Sequence, residues 1–473
     1  MIFASFEFVF LFLPIYFTAY FLVPAKWRNW PVLLLSWLFY GWWRLDFLAL
    51  LMAVTVFTFF TARLMDAKGP KTKVGTRLLV MGLVGNLSVL AYFKYANFGV
   101  GAFNDMMVAF GLTTVGWSEI ILPIGLSFYV LQSVSYLIDL WRGDVPVSRS
   151  FVNYAAYKAI FSQLIAGPIV RYAEIEKDLK HREHSLALFG EGARRFMIGF
   201  VMKVALGDTL SPVVEAAFHL PSPTLLDAWT GMLAYTLQLY FDFAGYSAMA
   251  IGLALMCGFH FPENFNNPYL SGNIQEFWQR WHMTLGRFLR DYLYIPLGGS
   301  RAGPIRTYVN LFLTMVIGGF WHGANWTFLL WGAWHGGMLA VHRAWSRAGF
   351  GPMPYWLANP ILLLAVALGW VTFRATDIHG AFAMYKGLIG LNGTGLSDGL
   401  AWQITPDQWW CLPIALGFVY LPLLSRWTGF GRPPEAHGPL WRAGWAVLPF
   451  LGFLLSLVLL YSRAAVPFLY FQF

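Results

Sequence analysis

The sequence predicts an all-α protein that crosses a membrane many times, and three observations support this fold class. Only 12% of the 473 residues are charged and 58% are hydrophobic, whereas soluble domains carry about 25% charged residues. The mean hydropathy is +0.56, and apolar runs recur along the whole chain. These runs lack the alternating pattern of a membrane β-barrel. The composition therefore excludes a soluble globular protein, a disordered chain, a collagen and a coiled coil.

The first apolar run, at residues 3–23, has no lysine or arginine before it, which predicts an uncleaved first span rather than a secretory signal peptide. Several later runs are shorter than the about 20 residues that a spanning helix needs, so we expect some of them to be tilted, broken or partly inserted. We predict about eleven to fourteen membrane-embedded helices in a single domain over residues 1–473. The later runs lie at residues 30–43, 47–61, 78–95, 98–112, 120–140, 151–169, 196–218, 228–261, 307–320, 326–341, 360–373, 409–424 and 445–461.

The distribution of positive charge predicts the orientation in the membrane. The net charge is +9, and the cations are concentrated in short polar stretches between apolar runs, as the positive-inside rule describes. We therefore expect these stretches to lie in the cytoplasm against lipid headgroups rather than nucleic acid, and the N-terminus to lie outside. The three main stretches are Arg63, Lys68, Lys71, Lys73 and Arg77; Arg171, Lys177, Lys180, Arg182, Arg194 and Arg195; and Arg280, Arg287, Arg290, Arg301 and Arg306.

Several kinds of chemistry find no support in the sequence. Its two cysteines, Cys257 and Cys411, form neither a metal-type pair nor a disulfide framework. Phosphate-binding loops, nucleotide fingerprints, nucleophile elbows and zinc-type helix pairs are also absent. We therefore expect no metal site.

The first candidate site is His322, in the segment Gly-Gly-Phe-Trp-His-Gly-Ala-Asn at residues 318–325. Two short apolar arms, at 307–320 and 326–341, flank it, and its glycines permit either close helix packing or a helix break. A neutral imidazole can take a proton from a hydroxyl at neutral pH. The alternative is a histidine that only bonds a backbone carbonyl between tryptophans. His335 repeats the Trp-His-Gly pattern, and we interpret it as a packing residue.

The second and third candidates are His282 and Asp242. Residues 276–292 carry Trp278, Trp281 and other aromatics on one face and arginines on another, which predicts one amphipathic helix with its basic face toward the cytoplasm. His282 lies toward the apolar side, where we expect it to face a pocket. Asp242, in an apolar run together with Gln238, must pair or stay protonated, and we expect it to bond a neighbouring span.

These residues belong to a larger set of motifs. They lie at residues 122–129, 165–168, 238–252, 263–266, 276–297, 318–335 and 468–473. In combination they resemble the bacterial exopolysaccharide branch of the membrane-bound O-acyltransferases, in particular its alginate-acetylating members and the transferases that D-alanylate teichoic acids.

The resemblance implies a ring of helices around a thin central tunnel, with His322 as the catalytic histidine and His282 as its partner. The donor would be a cytoplasmic thioester, acetyl-CoA. The acetyl group would pass to extracytoplasmic partner proteins that place it on an exopolysaccharide, alginate in the first instance, at the bacterial inner membrane. Supporting or tunnel-lining roles are expected for Trp321, Asn325, Asp291, Arg280, Trp281, Gln238 and Asp242.

Two departures keep other polymers open. Ala244 and Ala248 replace a serine and an aspartate of the alginate-type members, and the polar stretch 426–442 is shorter. Acetylation of bacterial cellulose or another envelope polymer is therefore the alternative. A polysaccharide-export transporter subunit would share the composition, but it should show inverted repeats and a polar path along several spans. A structural subunit of a secretion complex is a third possibility.

Overall fold

The computed structural model describes residues 1–301, 303–428, 439–463 and 466–469. Every regular element within these ranges is helical, as the fold-class prediction requires. Residue contacts divide the chain into two compact units. Unit 1 comprises Met1–Gly192 and Ala250–Pro262, and unit 2 comprises Ala193–Met249 and Glu263–Phe473.

Unit 1 begins with a π-helical turn, Glu7–Phe12, that continues directly into the first α-helix. Its helices are α1 (Leu13–Leu22), α2 (Asn29–Gly41), α3 (Leu45–Lys68), α4 (Lys73–Ala109), α5 (Leu126–Arg142), α6 (Phe151–Ala159), α7 (Phe161–Leu164) and α8 (Tyr172–Lys180). The first span, predicted at 3–23, is confirmed as a helical segment.

Two predicted boundaries in unit 1 are wrong. The runs 78–95 and 98–112 form one helix, α4, of 37 residues. The polar residues between the two runs do not interrupt the helix. The side chain of Asn97 faces the following loop instead, where its Oδ1 accepts from Ile120 N at 3.0 Å. The run 151–169 is instead interrupted after Ala159, where Ile160 has an extended ψ of 113°.

A polar seam runs through the interior of unit 1. Lys158, fully buried, donates to Ser133 Oγ at 2.7 Å and to the carbonyl of Tyr129. Thr58 donates to the same Ser133 at 3.3 Å and accepts from Asn86 at 3.1 Å. These hydrogen bonds give polar groups the partners that hydrocarbon cannot offer. Because the four side chains come from α3, α4, α5 and α6, the seam links these helices.

Unit 2 contains the remaining helices, and two of them, α9 and α11, contain residues of both units. They are α9 (Leu186–Val201), α10 (Asp208–Phe218), α11 (Leu225–Met256), α12 (Ile274–Arg280), α13 (Met283–Leu289), α14 (Pro304–His322), α15 (Trp326–Arg347), α16 (Tyr355–Arg374), α17 (Ile378–Leu388), α18 (Asp398–Ala401), α19 (Pro406–Thr428) and α20 (Pro439–Ser462). A π-helical turn, Met202–Gly207, joins α9 to α10. Helices α17 and α18 were not predicted from the sequence.

Within the described residues, five helical stretches are long and apolar enough to cross a membrane. They are Leu45–Lys68, Lys73–Ala109, Leu186–Phe218, Leu225–Met256 and Tyr355–Arg374. They support a multi-pass membrane protein, and the count of eleven to fourteen embedded helices stays a prediction.

Small residues let the helices of unit 2 approach closely. The backbones of the α9–α10 stretch and of α11 meet at Gly199 and Gly245, where a Cβ on either glycine would lie 2.5 or 2.7 Å from the other's carbonyl oxygen. Helices in lipid associate through such small-residue contacts. Lipid tails are as apolar as the helices, so no hydrophobic force drives the helices together.

The two arms that flank His322 form an antiparallel helical hairpin. They are longer than the sequence predicted, at 19 residues in α14 and 22 in α15, or about 28 and 33 Å. The predicted arms were limited to apolar residues, whereas the helices continue through polar residues at their ends, such as Arg306 and Arg343. Gly332 packs directly on α14, where a Cβ would lie 2.5 Å from Met315 O. Within the segment 318–325, Gly319 makes the corresponding contact, since a Cβ there would collide with Phe328 O. Of the two alternatives predicted for these glycines, Gly319 serves close helix packing.

We predict that Gly332→Ala lowers the stability of the protein by about 1–3 kcal/mol, because the added methyl group overpacks the α14–α15 contact. Gly337→Ala is the matched control on the same helix, since a Cβ there meets nothing within 4 Å. The midpoint of thermal unfolding in detergent should fall for the first variant alone. Equal midpoints would contradict the packing described here.

Candidate functional site

The predicted single helix over 276–292 is wrong, because the chain turns sharply in its middle. Helix α12 ends at Arg280 and α13 begins at Met283, and between them His282 adopts a left-handed conformation with φ 42° and ψ 54°. Such a conformation costs a non-glycine residue about 1–3 kcal/mol. The turn is stabilised from outside, since Met283 N donates to Asn264 O at 2.9 Å.

His282 is buried, with 1% of its surface exposed, and that it faces a pocket stays a prediction. Its Nδ1 lies 3.0 Å from Asn264 Oδ1, and its ring packs edge-on against Phe243 at 4.8 Å. Burial lowers the pKa of His282 to about 3, because an imidazolium loses its hydration there. The side chain is therefore neutral at physiological pH.

His322 is the last residue of α14 and is also buried. Its ring lies among three aromatic rings, with centroids at 4.9 Å from Trp321, 5.2 Å from Trp331 and 5.3 Å from Phe373. The chain leaves the helix at Gly323, in an extended conformation. A side chain at Gly323 would collide with the ring of Phe328, so this glycine permits the sharp exit that places His322 at the helix end.

A wall of three tryptophans connects the surroundings of the two histidines. Trp281, next to His282, contacts Trp370 in a tilted arrangement with ring centroids 5.0 Å apart, and Trp370 stacks on Trp331 at 5.8 Å. Trp331 in turn contacts His322. The sequence pointed to Trp281, but Trp331 and Trp370 lie in ordinary apolar runs and carried no signal.

His335 lies in an enclosed aromatic box. Its ring contacts are Trp331 at 4.8 Å, Trp278 at 5.1 Å, Trp370 at 5.9 Å and Phe277 at 6.3 Å. Within the described part of the chain, neither ring nitrogen has a hydrogen-bond partner. This enclosure supports its interpretation as a packing residue, in contrast to His322 at a helix end.

Asp242 pairs with a neighbouring span, as predicted. Its Oδ1 lies 3.0 Å from Lys203 Nζ, and Lys203 also forms an ion pair with Asp208. Sequence reasoning missed both partners, although each is a charged residue within an apolar run. All three side chains are less than a tenth exposed.

The same charged cluster holds the C-terminal segment. Leu469 N donates to Asp242 Oδ2 at 3.0 Å, and Lys203 donates to Val466 O at 3.1 Å. Between these anchors Phe468 contacts Tyr246 at 4.5 Å and Phe243 at 5.7 Å. Phe243 is the residue against which His282 packs. The rest of the terminal motif, 470–473, and most of the polar stretch 426–442 lie outside the described residues.

The other predicted site residues lie in ordinary local contacts. Arg280 pairs with Glu276 at 2.7 Å, and Asp291 pairs with Arg290 at 2.7 Å. Asn325 caps α15 and donates to Thr376 O at 2.8 Å. Gln238 is buried, and no partner for its Oε1 occurs among the residues the structure describes. No metal-holding group of histidine, cysteine or acidic residues is present in those same residues.

Comparison with known proteins identifies the family of this chain. The family model described as "MBOAT, membrane-bound O-acyltransferase family" matches residues 32–350. This chain belongs to that family. It is therefore a multi-pass membrane O-acyltransferase, and the family uses acyl donors.

Named relatives cover the chain closely. It is 44% identical to the "Probable alginate O-acetylase AlgI" of Azotobacter vinelandii and 45% identical to that of Pseudomonas putida, in both cases over 100% of each chain. It is 38% identical to the "Peptidoglycan O-acetyltransferase" of Helicobacter pylori, over 82% of this chain and 80% of the relative.

We predict that Lys203→Met strongly destabilises unit 2, because two buried carboxylates lose their cation and the C-terminal segment loses an anchor. Breaking a buried ion pair costs about 3–5 kcal/mol. The exposed Lys386 is the control, and Lys386→Met should melt like the wild type in detergent. If Lys203→Met also melts like the wild type, the ion cluster does not hold this unit together.

Proposed function

We propose that this membrane O-acyltransferase moves an acetyl group from cytoplasmic acetyl-CoA across the inner membrane for the O-acetylation of extracytoplasmic alginate. The observation that carries the proposal is the pair of buried histidines, His282 and His322, whose surroundings are connected by one wall of tryptophans. The names of the full-length relatives support the acetyl group and the polymer.

His322 is the general base of the proposed reaction. It would take the proton of the acceptor hydroxyl as that oxygen attacks the thioester carbonyl. The tetrahedral intermediate would then expel the coenzyme A thiolate, which recovers the proton from His322. A new oxygen ester forms and the thioester bond breaks. Trp321, Trp331 and Phe373 pack around this imidazole and keep bulk water away from it.

His282 has a different role in this proposal. Burial disfavours its protonated form, so it is a poor place to store a proton. A neutral imidazole can instead accept a hydrogen bond from a substrate at its unprotonated nitrogen. We therefore assign His282 to substrate orientation, beside Trp281, and reserve proton transfer for His322.

The proposed orientation places the N-terminus outside and the basic stretches in the cytoplasm. Helix α14 begins at Pro304, beside Arg301 and Arg306, and ends at His322. The base thus lies at the opposite end of a helix of about 28 Å from these cations. Cytoplasmic arginines could meet the donor phosphates, while extracytoplasmic proteins would accept the acetyl group and place it on the polymer. We propose that residues 1–473 act as one domain.

The acceptor polymer is the part of this proposal on which relatives differ. The Helicobacter pylori relative is named for peptidoglycan rather than alginate. Acetylation of cellulose or of another envelope polymer is therefore the alternative. Expression of this protein in strains that produce different polymers distinguishes the two.

We predict that His322→Ala abolishes acetylation while leaving the protein in the membrane, since loss of a general base costs about 100- to 10,000-fold in rate. The measurement is the acetyl ester content of alginate from a producing strain that lacks its own membrane O-acetylase and expresses each variant. Membrane abundance is measured in parallel.

Two further histidines serve as controls. His335→Phe keeps an aromatic ring, somewhat larger than imidazole, in the aromatic box, and His342→Ala changes a half-buried position on the same helix. Both should retain acetylation. If His335→Phe loses it and His322→Ala keeps it, the assignment of the base is wrong.

A further inference from the structure

We infer that Asn264 is a positioning residue that holds His282 in the tautomer with hydrogen on Nδ1, so that Nε2 carries the lone pair. Its functional consequence rests on the proposed role of His282 in orienting substrate. All the contacts of Asn264 that support the inference lie within unit 2. The sequence analysis placed Asn264 in a motif but predicted no role for it.

The orientation of the Asn264 amide follows from its neighbours. Oδ1 lies 3.4 Å from the backbone N of Thr284, which can only donate, and 2.9 Å from Thr284 Oγ1. The opposite flip would set an NH₂ group against that backbone N–H, which is unfavourable. On its other side Asn264 Nδ2 donates to Ser247 Oγ at 3.0 Å. The atom that faces His282 is therefore an oxygen.

An oxygen at this place determines the tautomer. Nδ1 of His282 lies 3.0 Å from Asn264 Oδ1. The amide oxygen can only accept a hydrogen bond, so Nδ1 must be the donor. Nδ1 must therefore be protonated, and in a neutral imidazole Nε2 is then the acceptor. Such second-sphere bonds commonly set which ring nitrogen does the chemistry.

The same residue also holds the backbone of the turn. The carbonyl of Asn264 accepts from Met283 N at 2.9 Å, directly after the left-handed His282. Backbone and side chain of one asparagine thus compensate for the strained conformation and orient the ring at the same time. Ser247 and Thr284 hold the asparagine in turn, and both are buried.

An amide suits this position better than a carboxylate. Phe243 and Phe265 contact the His282 ring, and an aspartate among these rings would favour the imidazolium as its counter-ion. An imidazolium has hydrogen on both nitrogens and cannot accept a bond at Nε2. The neutral asparagine specifies the tautomer without adding charge.

The direct test is the tautomer itself, read by ¹⁵N NMR on the full-length protein with its ten histidines labelled. His282→Gln identifies the resonances of His282 by difference. We expect a protonated Nδ1 and an unprotonated Nε2 in the wild type at neutral pH. In Asn264→Leu, which keeps the side-chain shape, this pattern should be lost. A wild-type Nε2–H tautomer, or an unchanged pattern in the leucine variant, would overturn the inference.

Activity provides the second measurement. Asn264→Leu should lower acetyl transfer on the order of 100-fold, as misplaced reacting groups do. Asn264→Asp should recover only a part of the activity, because a carboxylate also accepts from Nδ1–H but favours the imidazolium, whose Nε2 cannot accept a bond. The control is Asn359→Leu, which removes buried hydrogen bonds to Tyr269 O and Ser271 O and should affect stability without changing the His282 tautomer.

The outcomes separate this inference from the proposed function. If His282→Gln transfers acetyl normally while the NMR pattern depends on Asn264, Asn264 sets the tautomer and the proposed role of His282 fails. If Asn264→Leu and Asn359→Leu lose equal activity and Asn264→Asp recovers none, Asn264 is merely structural.

Discussion

The structure depends on a constraint that its solvent imposes. Hydrocarbon offers no hydrogen bonds, so a polar group within the membrane is costly unless it finds a partner in the protein. The buried Lys158 in unit 1 and the buried Lys203 in unit 2 meet this demand in different ways, the first through neutral hydroxyls and carbonyls and the second through two carboxylates. Each ties together elements that are distant in sequence.

The same constraint explains why the packing relies on small and aromatic residues. Apolar helices gain little by leaving lipid for one another, so close backbone contact at Gly199, Gly245 and Gly332 provides the association. Large rings then fill the remaining space. In unit 2 these rings form the wall of Trp281, Trp370 and Trp331, which contacts the His322 ring through Trp331.

An imidazole that is neutral before the reaction suits the proposed transfer of an acetyl group across the membrane. A charged base would be costly within the membrane, whereas a neutral imidazole can carry a proton for the moment of reaction and return it to the leaving thiol. The two histidines differ in their support: His322 is placed by a glycine at a helix end, and His282 by the hydrogen bonds of Asn264. This difference is consistent with distinct roles in proton transfer and in orientation.

The sequence by itself determined the membrane class, the all-helical fold, the location of most helices and the pairing of Asp242, because composition and hydropathy report local preferences directly. Tertiary structure decided the break at His282, since the bond that stabilises it comes from a residue 18 positions away. It also decided the continuity of α4 and the identity of Lys203 and Trp370 as neighbours of the site. Periodicity predicts one helix at a time, and a long-range hydrogen bond or ion pair can override that local preference. The two residues that form such a bond are brought together only by the folded structure.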